Sequence, residues 1–384
     1  MSGLLRYLDH NASAPLLPEA RDAMLEALSL VGNPSSVHAH GRAQRALLEA
    51  ARDAVAALAG ARRQEVVFTG SATEAIAQAV IGGARAFGVH RLVVGAGEHA
   101  AVHAAVAATG LPVTTMGLDA FGVLRIEDLV AALAAADAAG ETLLVCVQAA
   151  NNETGVIQPM AEIERRVGPT RHVLFVDAVQ AFGRVPLDFG ASATDMMAVS
   201  GHKIGAPAGI GALLVKSHCD GVRLIPGGGQ EQGRRGGTEA VALIAAFGAA
   251  AKAFPGRHGA AGLEALGERL ECGIMALAPD AVIFGQGAPR NLGVVNFAVP
   301  GVASSVAMMG LDLAGVSVSS GSACSSGKVA PSHVLAAMGI GRDIAGSALR
   351  VSLGWSSTQD DVDAFLNAFE QVLARHRQRR GRAA

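Results

Sequence analysis

The stretch Met196-Met197-Ala198-Val199-Ser200-Gly201-His202-Lys203 decides how this chain is read. Four consecutive apolar residues closing on a polar turn have the length and flanks of a buried strand. The glycine-rich turn Gly205-Ala206-Pro207-Ala208-Gly209 follows at once. A lysine just past a buried strand is placed badly for solubility, since lysine is rarely buried without a partner. It is placed well for chemistry, because a lysine amine forms Schiff bases with carbonyl compounds.

Working outward, Val66-Val67-Phe68, Arg91 to Val94, Thr142 to Val147 and Val173 to Val176 repeat the same strand pattern. Alanine-rich segments of helical length separate them. Such alternation predicts an α/β fold with a mostly parallel central sheet covered by helices. Beyond about residue 250 the pattern changes. Leu263, Leu266, Leu270, Ile274 and Leu277 keep a helical period, and Val294 to Phe297 and Ala348 to Leu353 are strand-like. Thr358 and Asp361 form a capping-box pattern before a last helix with Val362, Phe365, Phe369 and Val372 on its apolar face. The expected organisation is a large domain over 15–250 and a smaller α+β domain made of 1–14 and 251–384.

The 384 residues are 51% hydrophobic and 17% charged, with a net charge of −2. That composition excludes a disordered chain and shows no electrostatic footprint for nucleic acid. The tail from Arg375 to Arg382 reads as a solvated basic end. No apolar run has the length of a membrane span. The four cysteines (Cys146, Cys219, Cys272 and Cys324) include no C-x-x-C pair, which argues against a zinc site or a disulfide framework. A cytoplasmic protein without a metal is the expectation.

In open α/β sheets, ligands bind at the carboxyl ends of the strands. Five predicted strand ends carry polar groups there. Gly70-Ser71-Ala72-Thr73-Glu74 opens a helix whose backbone N–H groups suit a phosphate, although the same pattern makes an ordinary capped helix. Glu98-His99 and Asn151-Asn152-Glu153 follow two further strands. Asp177 and Gln180 follow the fourth, and Ser200, His202 and Lys203 the fifth. Lysine with a strand-end aspartate is the pair that pyridoxal phosphate requires. The amine binds its aldehyde, and the carboxylate holds the pyridinium nitrogen so that the ring stays an electron sink. His99 could stack on that ring and move protons, or be a plain turn histidine. Arg350, among strand-like residues, could bind a structural carboxylate or a substrate's. Cys324 lies in the loop Ser319 to Lys328, which has no apolar period; of the four cysteines it is the candidate nucleophile.

These motifs, with Tyr7 to Pro15, Gly32 to His38 and Arg234-Arg235-Gly236-Gly237-Thr238, resemble the NifS/IscS-type cysteine desulfurases, fold-type I pyridoxal phosphate enzymes of the class V aminotransferase group. The resemblance runs nearly end to end. It implies a homodimer that takes L-cysteine, leaves L-alanine and holds a persulfide on Cys324, carried by a loop at about 317–330. Lys203 would bind the cofactor covalently. Ala72, Thr73, Ser200 and His202 would hold its phosphate, with Thr238 reaching the phosphate of the partner subunit. Asn152, Asp177 and Gln180 would hold the ring, under a stacked His99. Arg350, with Asn152, would bind substrate. The sulfur would pass to an acceptor such as an iron–sulfur scaffold protein. A selenocysteine lyase, or another class V aminotransferase-type enzyme, is the alternative. Four features depart from the family pattern: Gly201, Ala75-Ile76-Ala77, Gly205-Ala206-Pro207 and Trp355.

Overall fold

A computed structural model describes residues 5–320 and 332–383. In chain order the strands are β1 (Arg6–Tyr7), β2 (Val66–Thr69), β3 (Arg91–Gly95), β4 (Val113–Met116), β5 (Leu143–Gln148), β6 (Val173–Asp177), β7 (Met196–Ser200), β8 (Gly211–Val215), β9 (Val282–Ile283), β10 (Val294–Ala298), β11 (Val316–Ser317) and β12 (Ala348–Ser352). Seven of them form one sheet in the order β2-β8-β7-β6-β5-β3-β4. β7, β6, β5, β3 and β4 pair in parallel, and β8 runs antiparallel to both its neighbours. The reason is the length of the link. Residues 201–210 alone join β7 to β8, and a parallel return needs a crossover of a dozen residues or more.

The central strands are apolar throughout because both faces of the sheet are covered. Leu92, Leu144, Phe175, Met196 and Leu213 pack on one face. Val93, Val145, Leu174, Met197 and Leu214 pack on the other. A separate core gathers Leu8, Leu270, Ile274, Phe297, Val351, Phe365 and Phe369. It lies between the three-stranded antiparallel sheet β12-β10-β9 and the helices Leu263–Leu277 and Gln359–Ala383. The last helix starts where the capping pattern places it. Thr358 N–H donates to Asp361 Oδ2 at 2.9 Å, and Asp361 N–H returns to Thr358 Oγ1 at 3.4 Å.

β1 pairs in parallel with β11, so the N-terminal segment joins this second core and then runs on to the large sheet. The expected boundary at residue 250 cuts the helix Val241–Ala260. Ile244, Phe247, Ala250 and Phe254 of that helix belong to the large core. The helix therefore stays with the large core at least as far as Phe254, and we propose a division just after residue 260.

Candidate functional site

The carboxyl ends of β2, β3, β5, β6 and β7 converge on a cavity of about 440 Å³. Ala72, Thr73, His99, Asn152, Asp177, Gln180, Ser200, His202, Lys203 and Arg350 all line it. Two expected residues are not among them. Thr238 is exposed and follows the positive-φ Gly237, and it is not among the residues that line this chain's cavity. Cys324 lies outside the described residues.

Lys203 ends the single turn Gly201–Lys203 after β7. Its Nζ donates to the carbonyls of Asn11 at 2.7 Å and Ala12 at 2.8 Å. The turn is built around small residues. A Cβ on Gly201 would stand 2.8 Å from Ile210 Cγ2, so Ile210 occupies the space that any side chain there would need. Gly205, at φ +81°, turns back under Leu17 and Pro15 with no room for a side chain.

Asp177, the last residue of β6, is buried, and its Oδ1 accepts the Val179 N–H at 3.0 Å. Burial raises its carboxyl above the usual range, while the nearby His99 and Lys203 pull it back. Glu98 lies deeper. Burial, and then the charge of Asp177, push it well above the ordinary carboxylate range. Its Oε1 accepts the Gln148 N–H at 2.9 Å, and its Oε2 has no partner among the described residues. Two carboxyls in one low-dielectric region do not both ionise readily. Both carboxyls are shifted in the same direction, Glu98 the further, which leaves Asp177 the better placed of the two to carry a negative charge.

Ser71 caps the helix that opens at Ala72, its hydroxyl accepting the Glu74 N–H at 3.1 Å. The Ala72 and Thr73 amides belong to the first turn, where the helix offers no acceptor. Gly211 of β8 brings this turn close to the sheet, since a Cβ there would lie 2.7 Å from Ala72 N. His202 is pulled down to about 4 by burial, then by Lys203 and Arg184, and so is neutral near pH 7. His99 caps the helix Ala100–Thr109, its Nδ1 accepting the Ala101 N–H at 3.1 Å. The N–H of that ring is thereby assigned to Nε2.

Arg350, central in β12, is 2% exposed. Its Nη2 pairs with Asp9 Oδ1 at 2.7 Å and its Nη1 donates to the Asn152 carbonyl at 3.0 Å. The structural carboxylate is thus present, yet the guanidinium still lines the cavity. Trp355 packs against the large core, and its Nε1 donates to the Pro15 carbonyl at 3.0 Å.

The sequence reading assigned no role to Asn11, Ala12, Gln148 or Arg184. The first three line the cavity, and Arg184 hydrogen-bonds to Asn11 and Gln180 behind it. The polar run His10-Asn11-Ala12-Ser13 and the four-residue spacing of Gln180 and Arg184 were the available signals. Among the described residues one group, Asp195, His218 and Cys219, could hold a metal ion. It lies off the cavity and is internally satisfied. His218 Nε2 meets Asp195 Oδ1 at 2.7 Å, and the Cys219 thiol donates to the Asp195 carbonyl at 3.6 Å.

Comparison with known proteins agrees with this geometry. The family model of the class-V aminotransferases matches residues 6–365. The IscS-like cysteine desulfurase of Mycobacterium tuberculosis is 39% identical over 385 residues, spanning 97% of each chain. A NifS-like protein from Rickettsia africae superposes with a TM-score of 0.86 at 30% identity, covering 96% of this chain and 99% of that one. SspA, solved in complex with cysteine, superposes with a TM-score of 0.79 at 28% identity, covering 92% and 100%.

Proposed function

From the premise that this chain belongs to the class-V aminotransferase family, as a cysteine desulfurase, we propose the following reaction. With pyridoxal 5′-phosphate on Lys203, it converts L-cysteine to L-alanine and leaves the sulfur as a persulfide on Cys324. The carrying observation is that Lys203 and Asp177, from neighbouring strands, line one cavity with the Ala72 and Thr73 amides. The donors fit the group. Helix-start amides suit a phosphate, a buried anion suits a ring nitrogen, and the Gln180 amide N–H suits a phenolic oxygen. When bound, the cofactor supplies a sink for the electrons released at the substrate's Cα.

The protein's own residues do the rest. Arg350 holds the substrate carboxylate, with Asn152 beside it. The Lys203 amine takes the Cα proton and can return it, since Asn11 and Ala12 carbonyls already hold that amine at the cavity wall. Asp177 would face the ring nitrogen, with Glu98 behind it. The Cys324 thiolate forms an S–S bond to the substrate sulfur while the Cβ–S bond breaks. The bonding pair remains with carbon, which is protonated and departs as alanine. One cysteine and one protein thiol thus yield one alanine and one persulfide, with no outside oxidant or reductant.

Thr238 completes the phosphate site of a second copy, which makes the protein a homodimer. Leu25, Leu28, Val31 and Val37 are exposed apolar residues that such a copy would cover. The persulfide serves a sulfur-acceptor protein such as an iron–sulfur scaffold, in the cytoplasm. No helix among the described residues is long and apolar enough to cross a membrane. The test is direct. The purified protein should show a visible cofactor band and release alanine from L-cysteine. Lys203→Ala should lose both, and Cys324→Ala should keep the band but lose persulfide formation. A colourless wild type, or a Cys324→Ala protein that forms persulfide at the full rate, would overturn the reading.

A further inference from the structure

Arg184 carries a charge that the proposed reaction leaves unused. It lies four residues past Gln180. Its Nη1 donates to Asn11 Oδ1 and to Gln180 Oε1, both at 2.6 Å. Its Nη2 donates to the Lys203 carbonyl at 3.0 Å. These acceptors, together with the His10 carbonyl that Nη2 also reaches at 3.5 Å, are all neutral, and Arg184 makes no ion pair among the described residues. Arg184 is half-buried, and a cation drawn partly out of water without a counter-charge is costly. Burial and the neighbouring Arg350 hold this guanidinium down to about 10, so it still carries its proton at pH 7.

The geometry has two consequences. Arginine only donates, so the amide ends that meet it must be oxygens. Gln180 therefore turns its N–H end away from Arg184, and that end now reaches the Asn11 carbonyl at 3.1 Å. Asn11 likewise points its Nδ2 at the Asn152 carbonyl, at 3.0 Å. The titratable groups around Arg184 are Arg350, Lys203, His202, His10 and His258, with Asp177 beyond Lys203. The three histidines are driven low by burial, with Arg184 a further cause in each. The region is electropositive behind Lys203.

We propose that Arg184 is a positioning residue. It fixes Gln180 and Asn11 with their N–H ends toward the cavity, and it lays a permanent positive charge beneath Lys203. The inference rests on the cofactor reading above. It predicts that Arg184 disfavours a second positive charge at the Lys203 nitrogen, in the bound cofactor as in the free amine.

The test is a pH titration of the visible band of the cofactor-loaded protein. Arg184→Met should raise the apparent midpoint by about one pH unit, the effect of removing one charge at this range. Arg184→Lys, which keeps the charge, should stay near the wild-type midpoint. Arg184→Met should also release the cofactor about tenfold faster, and that factor should largely vanish in a Gln180→Ala background. Arg184→Gln replaces Arg184→Met if the latter fails to fold, with the same shift expected. An unshifted midpoint in the neutral variant overturns the inference, as does an equal loss of cofactor with and without Gln180. A wild type lacking any band would instead overturn the underlying reading.

Discussion

At the scale of single residues, burial sets the chemistry more than sequence neighbours do. Glu153 follows Asn151-Asn152 and carries no obvious role in the sequence. In the fold it is buried, and its Oε2 accepts the Ser332 hydroxyl at 2.5 Å. Desolvation raises its carboxyl to about 7, against the pull of Ser332, Arg350 and His99. A carboxyl raised on folding stabilises the protein fully below its unfolded value, and that stability drains away as pH rises through its folded one. The window here runs from about 4.5 to 7. Glu153→Gln keeps a hydrogen-bonding amide without the charge. It should therefore gain on the wild type by about 1–3 kcal/mol between pH 5 and pH 8, read by urea unfolding at both. Equal differences at the two pH values would refute the assignment. Lys203, Asp177 and Arg350 were legible from the chain because each sets a charged group, costly to bury, at the end of or within an apolar strand pattern. The roles of Arg184 and Glu98 were not, because a sequence does not show which acceptors a guanidinium meets or how deeply a carboxyl is buried.

At the scale of elements, the loop after β8 shows how tertiary contacts override local preference. Glu231 and Gln232 adopt left-handed backbones, at φ 48° and 59°, which non-glycine residues rarely do. What holds Glu231 there is a buried, two-pronged pair. Arg52 Nη1 and Nη2 reach its two carboxylate oxygens at 2.7 and 2.8 Å, with side chains 3% and 2% exposed. The Phe68 N–H adds a third bond at 2.8 Å. The pair thus ties the helix Ala39–Ala59 to β2 and to the loop that leads toward Arg235 and Thr238. Arg52→Met leaves a buried carboxylate unpaired and should cost about 3–5 kcal/mol of stability. Thermal unfolding of the variant would measure it, and a loss under 1 kcal/mol would mean that the pair is not buried as described. Arg235 in turn donates to Glu74 Oε1 at 2.7 Å, which sets the same loop beside the proposed phosphate site.

At the scale of the whole molecule, the site needs both cores. The large sheet contributes Lys203, Asp177 and the helix start at Ala72, whereas Arg350 comes from β12 and Asn11 from the segment that leaves β1. If Thr238 serves a second copy, the purified protein should run as a dimer in light scattering. A stable monomer with full cofactor occupancy would remove Thr238 from the site. The strand-and-helix alternation, the capped last helix and the set of strand-end polar groups could all be read from the chain. They rest on short-range rules, namely apolar period, capping chemistry and the cost of burying charge. Long-range packing alone decided the antiparallel β8, the unbroken helix Val241–Ala260 and the return of residues 9–13 over the cavity. It alone also set the Arg184 guanidinium against the Lys203 carbonyl with no ion pair among the described residues. Each depends on which distant surfaces meet and exclude water, and no local pattern encodes that.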